Sequence, residues 1–319
     1  MKILVTGGAG YVGTRLVQRL LQLGHRVNVL DTMVYGNQIK NSWPGQLEIF
    51  QGDIRDTGAV KRSLEDVEVV YHLAAISNDP TGNLNPKITI DVNKEGTEHL
   101  LKECKKAKIR QFIYASSSSG FGIQEGENIT ENFVPKPLTV YSETKLESEQ
   151  LVLKQEDFCV TAIRPATICG VSPRQRFDLV VNALCGSAFF DKQITVYGGE
   201  QRRPNLTMAD MVEIYVLLLK APIDLVHQQV FNAGWENSTI KELAKKVTQK
   251  FGLPIVTKPS SDNRDYHICS RKIERVLGYV PVSTIDIAIA ELKEAMSYGF
   301  FEHYKSPMYN NIVMLKSKL

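Results

Sequence analysis

Three glycines constrain this chain more than anything else in it. Gly7-x-x-Gly10-x-x-Gly13 follows an apolar run at residues 3–6 and opens a segment, residues 11–23, with Val12, Leu16, Val17, Leu20 and Leu21 at helical spacing and Gly24 as a stop. Strand, tight turn and helix in that order begin a βαβ unit. Four more runs read as strands in the first half: 27–30 ending at Asp31, 47–50, 67–72 and 111–115. A sixth strand, 159–163, follows a helix from about 141 to 154, and another helical stretch covers 91–107. Near-continuous apolar strands separated by helices predict a parallel sheet covered on both faces. The fold class expected is α/β: a Rossmann-type doubly wound parallel sheet with a smaller C-terminal α/β substrate lobe.

The second half is less regular. Residues 179–189, 211–219 and 239–251 read as helices, 194–197 and 230–232 as short strands, and 254–265 as a Pro/Ser/Asp-rich loop. The division expected is 1–170 for a nucleotide-binding domain, with parts of 205–236 returning to it, and 171–319 mainly for substrate. Ordinary globular composition, 43% hydrophobic and 23% charged, excludes disordered and fibrous classes. A net charge of +3 does not argue for nucleic acid. The basic run at 102–110 reads as a solvated helix end. No apolar stretch is long enough for a membrane helix and no signal peptide is read at the start, so a cytoplasmic, membrane-free protein is expected. Five scattered cysteines, none in a C-x-x-C pair, predict neither disulfides nor a metal site.

The glycine turn has a chemical meaning. It lets the backbone approach a pyrophosphate, and the next helix offers unpaired N–H groups with a positive dipole end. Asp31, 18 residues after Gly13, closes the second strand. A carboxylate there accepts ribose hydroxyls and repels a 2′-phosphate, which predicts NAD rather than NADP. Tyr141-x-x-x-Lys145 is the chain's only pair of its kind. Such a pair arises by chance about once in a chain like this, so position matters more than pattern. On a helix, i and i+4 share a face, and an ammonium beside a phenol favours phenolate, a general base.

The G-x-x-G-x-x-G spacing and the Tyr141/Lys145 pair resemble the extended short-chain dehydrogenases/reductases, specifically the NAD-dependent epimerase/dehydratase family acting on sugar nucleotides. Gly52-Asp53-Ile54-Arg55-Asp56 resembles that family's adenine-side turn, with Asp53 towards the adenine. His72-Leu73-Ala74-Ala75 resembles the segment under the nicotinamide-side ribose. Asp91-Val92-Asn93 resembles the helix whose Asn93 supports the active-site backbone. The resemblance implies cofactor contacts from Gly7, Gly10, Tyr11, Val12, Gly13, Asp31, Thr32, Asp53, Ile54, Leu73, Ala74, Ala75, Asn93, Ala115, Tyr141, Lys145 and Ala166.

The run Ala115-Ser116-Ser117-Ser118-Ser119-Gly120-Phe121-Gly122 resembles the family's serine loop. Counting back from Gly122 puts the catalytic hydroxyl on Ser117, with Ser118 as the alternative. The family's 4,6-dehydratases carry Asp-Glu where this chain has Ser118-Ser119, so dehydration is disfavoured. Arg164-Pro165-Ala166-Thr167 resembles a segment in which Thr167 replaces an Asn. Substrate contacts are implied for Ser117, Ser118, Thr167, Asn182, Arg203 and Arg264, the two Arg towards a nucleotide-sugar diphosphate. The runs from Val171 to Asn182 and Arg202 to Asn205 resemble a polysaccharide-cluster branch that includes GDP-heptose 4-dehydrogenases. The resemblance implies a hydride-transfer enzyme with Tyr141, Lys145 and Ser117 as its catalytic set, a 4-epimerase being favoured over a 4-dehydrogenase. A lyase or a non-catalytic NAD-binding protein is the more distant alternative. A homodimer through 91–107 and 141–154 is implied by resemblance.

Overall fold

Alternation along the first strands sets the two faces of the sheet. Ile3 and Val5 of the first strand enter one core cluster, while Leu4 between them enters another. Val69 and Tyr71 against Val70, and Ile113 against Phe112 and Tyr114, repeat that division. Both faces are therefore apolar and both need a helical cover. The structure, a computed structural model, describes residues 1–39, 42–124, 128–260, 265–301 and 303–318.

Among the described residues the strands are β1 (Lys2–Thr6), β2 (Arg26–Asp31), β3 (Leu47–Gln51), β4 (Val69–His72), β5 (Gln111–Ala115), β6 (Cys159–Pro165), β7 (Thr167–Cys169), β8 (Ile194–Tyr197), β9 (Arg202–Thr207), β10 (Gln229–Ala233), β11 (Glu236–Thr239) and β12 (Ile255–Lys258). Seven form one all-parallel sheet in the order β10-β6-β5-β4-β1-β2-β3. The chain runs outward from β1 to β3, then crosses to β4 on the other side of β1. That reversal leaves a crevice at the carboxyl ends of β1 and β4, where an open α/β sheet binds its ligand.

Helices Tyr11–Gln22 and Met208–Lys220 cover the face that carries Ile3 and Val5. Helices Thr57–Ser63, Gly96–Ala107 and Val140–Leu153 cover the other. A further core cluster, drawn from Cys169 to Phe301, packs helices Val180–Gly186, Ile240–Phe251 and Ile285–Ser297 against β8. Two small sheets serve this half: β11-β9-β7 and β12-β8.

Three expectations change. Within the expected loop 254–265, Ile255–Lys258 is a strand parallel to β8; it is mostly exposed, so no apolar alternation announced it. Residues 261–264 of that stretch lie outside the described residues. Strand β9 carries Pro204 at the centre of its sheet, a residue that argues against a strand in sequence. The helices expected at 91–107 and 179–189 each contain a π-helical turn, Asp91–Glu95 and Ser187–Asp191. At the first, Thr97 Oγ1 and Ser148 Oγ both donate to the Asn93 carbonyl, at 2.5 and 2.8 Å.

Candidate active site

The turn after β1 is built for close approach. Gly7 has φ +73°, and a Cβ there would lie 2.6 Å from the Ala74 nitrogen; one on Gly13 would lie 2.2 Å from the Gly7 carbonyl. Gly10 lies on the cavity wall, and a Cβ there would press on the Gly7 carbonyl at 3.1 Å. Gly10 is the N-cap of helix Tyr11–Gln22, and no side chain caps that helix. Its first N–H groups and dipole end are left for a ligand.

Asp31 stands beside the turn. One carboxylate oxygen accepts from the Ala9 N–H at 3.0 Å and the other from the Met33 N–H at 2.9 Å. Burial nevertheless raises its pKa, the two hydrogen bonds offsetting only part of that. Asp53 is held by Arg55 through side-chain bonds of 3.0 and 2.7 Å. Burial would raise Asp53, but its bonds and charge contact with Arg55 win and hold it low.

Helix Val140–Leu153 starts at Thr139, which forms a capping box with Ser142 and donates to Asp79 Oδ1 at 2.6 Å. That cap fixes Tyr141 in the helix's first turn. Further along, Glu149 and Arg164 of β6 form a buried two-point pair at 2.9 and 2.6 Å, anchoring the helix to the sheet. Burial raises the Tyr141 phenol to about 12, and the nearby Ser117 hydroxyl, itself 2.8 Å from Ser119 Oγ, opposes this most. Lys145 is buried over the Tyr114 ring, 4.2 Å from its centre, and burial lowers its pKa to about 7 against an upward pull from Glu149. The i, i+4 spacing predicts that Lys145 lowers the phenol. In the structure Ser117 is the chief opposing group and burial wins, because both polar side chains sit in low dielectric.

These groups share a cavity of about 1030 Å³. Its wall includes Gly7, Gly10, Tyr11, Val12, Gly13, Asp31, Thr32, Asp53, Ile54, Leu73, Ala74, Ala75, Ala115, Ser117, Ser118, Tyr141, Lys145, Ala166, Thr167 and Arg203. Two expected residues are not on it. Asn182 is fully buried: it accepts from the Gly170 N–H and donates to Tyr11 Oη and the Arg176 carbonyl. A substrate contact from Asn182 is therefore corrected to a structural tie. Asn93 likewise stands behind the wall, exchanging hydrogen bonds of 2.8 and 3.1 Å with the Ile76 backbone. It acts on a wall residue and does not itself reach the cavity. The Tyr11 hydroxyl is spent on the Gly170 carbonyl at 2.8 Å, which leaves the residue's backbone to face a ligand. Arg264 lies outside the described residues.

Sequence reasoning missed a polar group on the same wall: Ser77, Asn78, Asp79, Arg174, Asp178 and Asn311. Asp178 holds Arg176 through two bonds of 2.9 Å. The Arg174-x-Arg176-x-Asp178 spacing was the available signal, since alternate residues of an extended segment share a side. His72, at the foot of this region, bonds Thr6 and Thr97 at 2.7 and 2.9 Å, and burial lowers its pKa to about 3. It is a neutral spacer, not an acid or base. Among the described residues no group of His, Cys, Asp and Glu could hold a metal ion, and no helix is long and apolar enough to cross a membrane.

Comparison with known proteins agrees with this architecture. The sequence model of the NAD dependent epimerase/dehydratase family matches residues 3–234. A UDP-glucose 4-epimerase of Lactobacillus helveticus is 30% identical over 307 residues, 88% of this chain and 92% of that one. UDP-glucuronic acid decarboxylase 1 of Xenopus tropicalis is 28% identical over 89% of this chain and 69% of its own. The solved UDP-glucuronic acid 4-epimerase from Bacillus cereus, in complex with UDP-glucuronic acid and NAD, superimposes with a TM-score of 0.84 at 26% identity, covering 93% of this chain and 99% of that one.

Proposed function

Because the chain belongs to the NAD dependent epimerase/dehydratase family, we propose that it is a 4-epimerase of a nucleotide-activated sugar, working by hydride transfer with NAD as cofactor. One observation carries this reading. Ser117, Tyr141 and Lys145 line one cavity together with the uncapped helix end, and Ser117 is the group that most opposes the rise of the Tyr141 phenol. The residues present fit NAD: Gly10 brings bare backbone to the cavity wall, the N–H groups of the helix end have no side-chain cap, and Asp31 offers a carboxylate for ribose hydroxyls. NAD, when bound, supplies the acceptor for the hydride that leaves the sugar carbon.

Tyr141 takes the proton of the 4-hydroxyl at its phenol oxygen and later returns it. At rest the phenol is protonated, so a cation beside it is needed to bring it into range, and Lys145 on the same wall would supply that charge when protonated. Lys145 would also help hold the dinucleotide, offering its N–H groups to ribose hydroxyls. Ser117 donates to the sugar oxygen as it becomes a carbonyl. Epimerisation would need the oxidised sugar to present its other face to the dinucleotide that the glycine turn and Asp31 would hold, whose reduced form would return the hydride. Ser118 and Ser119 cannot serve as the acid and base that loss of water needs near neutral pH. In this reading residues 1–170, with the returning β10, hold the dinucleotide, and residues 171–319 mainly hold the nucleotide sugar.

The test is direct. The protein is mixed with UDP-, GDP-, CDP- and dTDP-sugars while absorbance at about 340 nm and product mass are recorded. An isomeric product without lasting NADH is expected, and Tyr141→Phe abolishes it. A product two hydrogens lighter, with stoichiometric NADH, replaces the epimerase by a 4-dehydrogenase. Turnover unchanged in Tyr141→Phe defeats the mechanism.

A further inference from the structure

The end of the described chain folds back over the cavity. A single turn, Pro307–Tyr309, leads into the short helix Asn311–Lys316, and Ile312, Leu315 and Lys318 lie on the cavity wall. Asn311 is 2% exposed and ties three segments together. Its Oδ1 accepts from an Arg174 Nη at 2.6 Å, its Nδ2 donates to Ser77 Oγ at 2.9 Å, and its backbone N–H donates to Asp178 Oδ2 at 3.1 Å.

Arg174 is as deeply buried as Asn311, and its guanidinium lies 4.1 Å from the centre of the Tyr35 ring. Its Nε–H has no hydrogen-bond partner among the described residues. A buried donor on a cation is costly without an acceptor, and here the donor belongs to a cavity-wall residue. Its position says which acceptor is missing. Two residues earlier, Ser172 Oγ donates to the Tyr11 carbonyl at 2.6 Å and pairs with Thr14 Oγ1 at 2.9 Å, so this segment lies on the first turn of the uncapped helix. Tyr35, under the guanidinium, comes four residues after Asp31. Arg174 therefore follows a segment seated on the helix end and feels the charge of the ribose-side carboxylate Asp31, so an anion linking the two would meet a cation on the same cavity wall.

We propose that the Arg174 guanidinium donates to the diphosphate of the bound dinucleotide, and that Asn311 is the positioning residue that aims it. The C-terminal segment is thereby a strap on the cofactor, which suits an enzyme that must keep its reduced cofactor until the hydride is returned. The proposal rests on the NAD reading of the site.

The test measures dissociation constants of NADH, by its fluorescence, and of adenosine diphosphoribose, which shares the diphosphate but lacks the nicotinamide. Asn311→Ala and Arg174→Met weaken both ligands equally, by roughly tenfold. Asn311→Asp keeps an acceptor for Arg174 and binds both within about threefold of the parent protein. UDP and GDP affinities stay within about twofold, because Arg174 does not serve the nucleotide sugar. Where Asn311→Ala does not fold, Arg174→Met and Asn311→Asp decide. Variants that lower the melting temperature but leave both dinucleotide constants unchanged reduce Asn311 to a structural tie and overturn the proposal. So does a loss confined to UDP or GDP. Failure of the epimerase reading is separate: it shows as absent isomerisation, whatever these constants do.

Discussion

Replacing Lys145 by Met in the cofactor-free protein stabilises it, and the gain depends on pH. Burial lowers the Lys145 pKa from the ordinary 10.5 to about 7. Between those values the unfolded chain carries the proton and the folded chain does not. Stability contributed by this group therefore rises with pH above 7, and it is lost as pH falls through 7. Relative to a side chain that does not titrate, the shift destabilises the fold by about 4 kcal/mol at pH 7 and about 2 kcal/mol at pH 9. Methionine fills a similar volume and removes the penalty. The measurement is urea unfolding of the parent protein and Lys145→Met at both pH values. Subtracting one from the other cancels every other titrating group. The expected difference is larger at pH 7 than at pH 9 by about 2 kcal/mol, and NAD added in excess shrinks it, because ribose hydroxyls then stabilise the ammonium. A difference that is the same at both pH values refutes the reasoning, since the lysine would then carry its ordinary pKa.

Three further outcomes are expected. Ser117→Ala lowers kcat by about 100-fold while Ser118→Ala changes it by less than about threefold, because Ser117 and not Ser118 acts on the Tyr141 phenol; steady-state kinetics with the two reversed would move the role to Ser118. Asp31→Ser weakens NAD by about tenfold and narrows its advantage over NADP, read from dissociation constants of the two cofactors; unchanged discrimination would remove Asp31 from the ribose. Glu149→Gln leaves the Arg164 guanidinium buried without its carboxylate and lowers unfolding free energy by about 3 kcal/mol; a loss under about 1 kcal/mol in urea titration would show that the pair does not anchor the helix.

The first half was legible because its physics is local. Apolar runs of strand length, a glycine turn and helical spacing each act over a few residues, and β1, β2 and β5 fell where those signals put them. The turn at Gly7 and the Tyr141/Lys145 pair could be read for the same reason. In the second half β8 and β10 fell at the runs read for them, but β9, β11 and β12 were hidden, because they are polar, exposed or broken by Pro204 and are held by pairing partners far away in sequence. The electrostatics were hidden too. Spacing puts an ammonium near a phenol, but only burial decides that Lys145 falls and Tyr141 rises. Asn182 looked like a ligand contact, and its two amide atoms are taken up by Gly170, Tyr11 and Arg176. Asn311 carried no signal, since its three partners come from three separate segments.

The place of β10 bears on how the molecule comes into being. Strand β6 is bordered by β5 on one side and by Gln229–Ala233 on the other. A nascent chain that has left the ribosome only as far as residue 170 thus carries a bare row of backbone donors and acceptors along β6, a template for another chain. That edge is sealed only after the intervening residues have been made. A fragment cut at the apparent boundary would be a sticky intermediate, and the two halves must mature together.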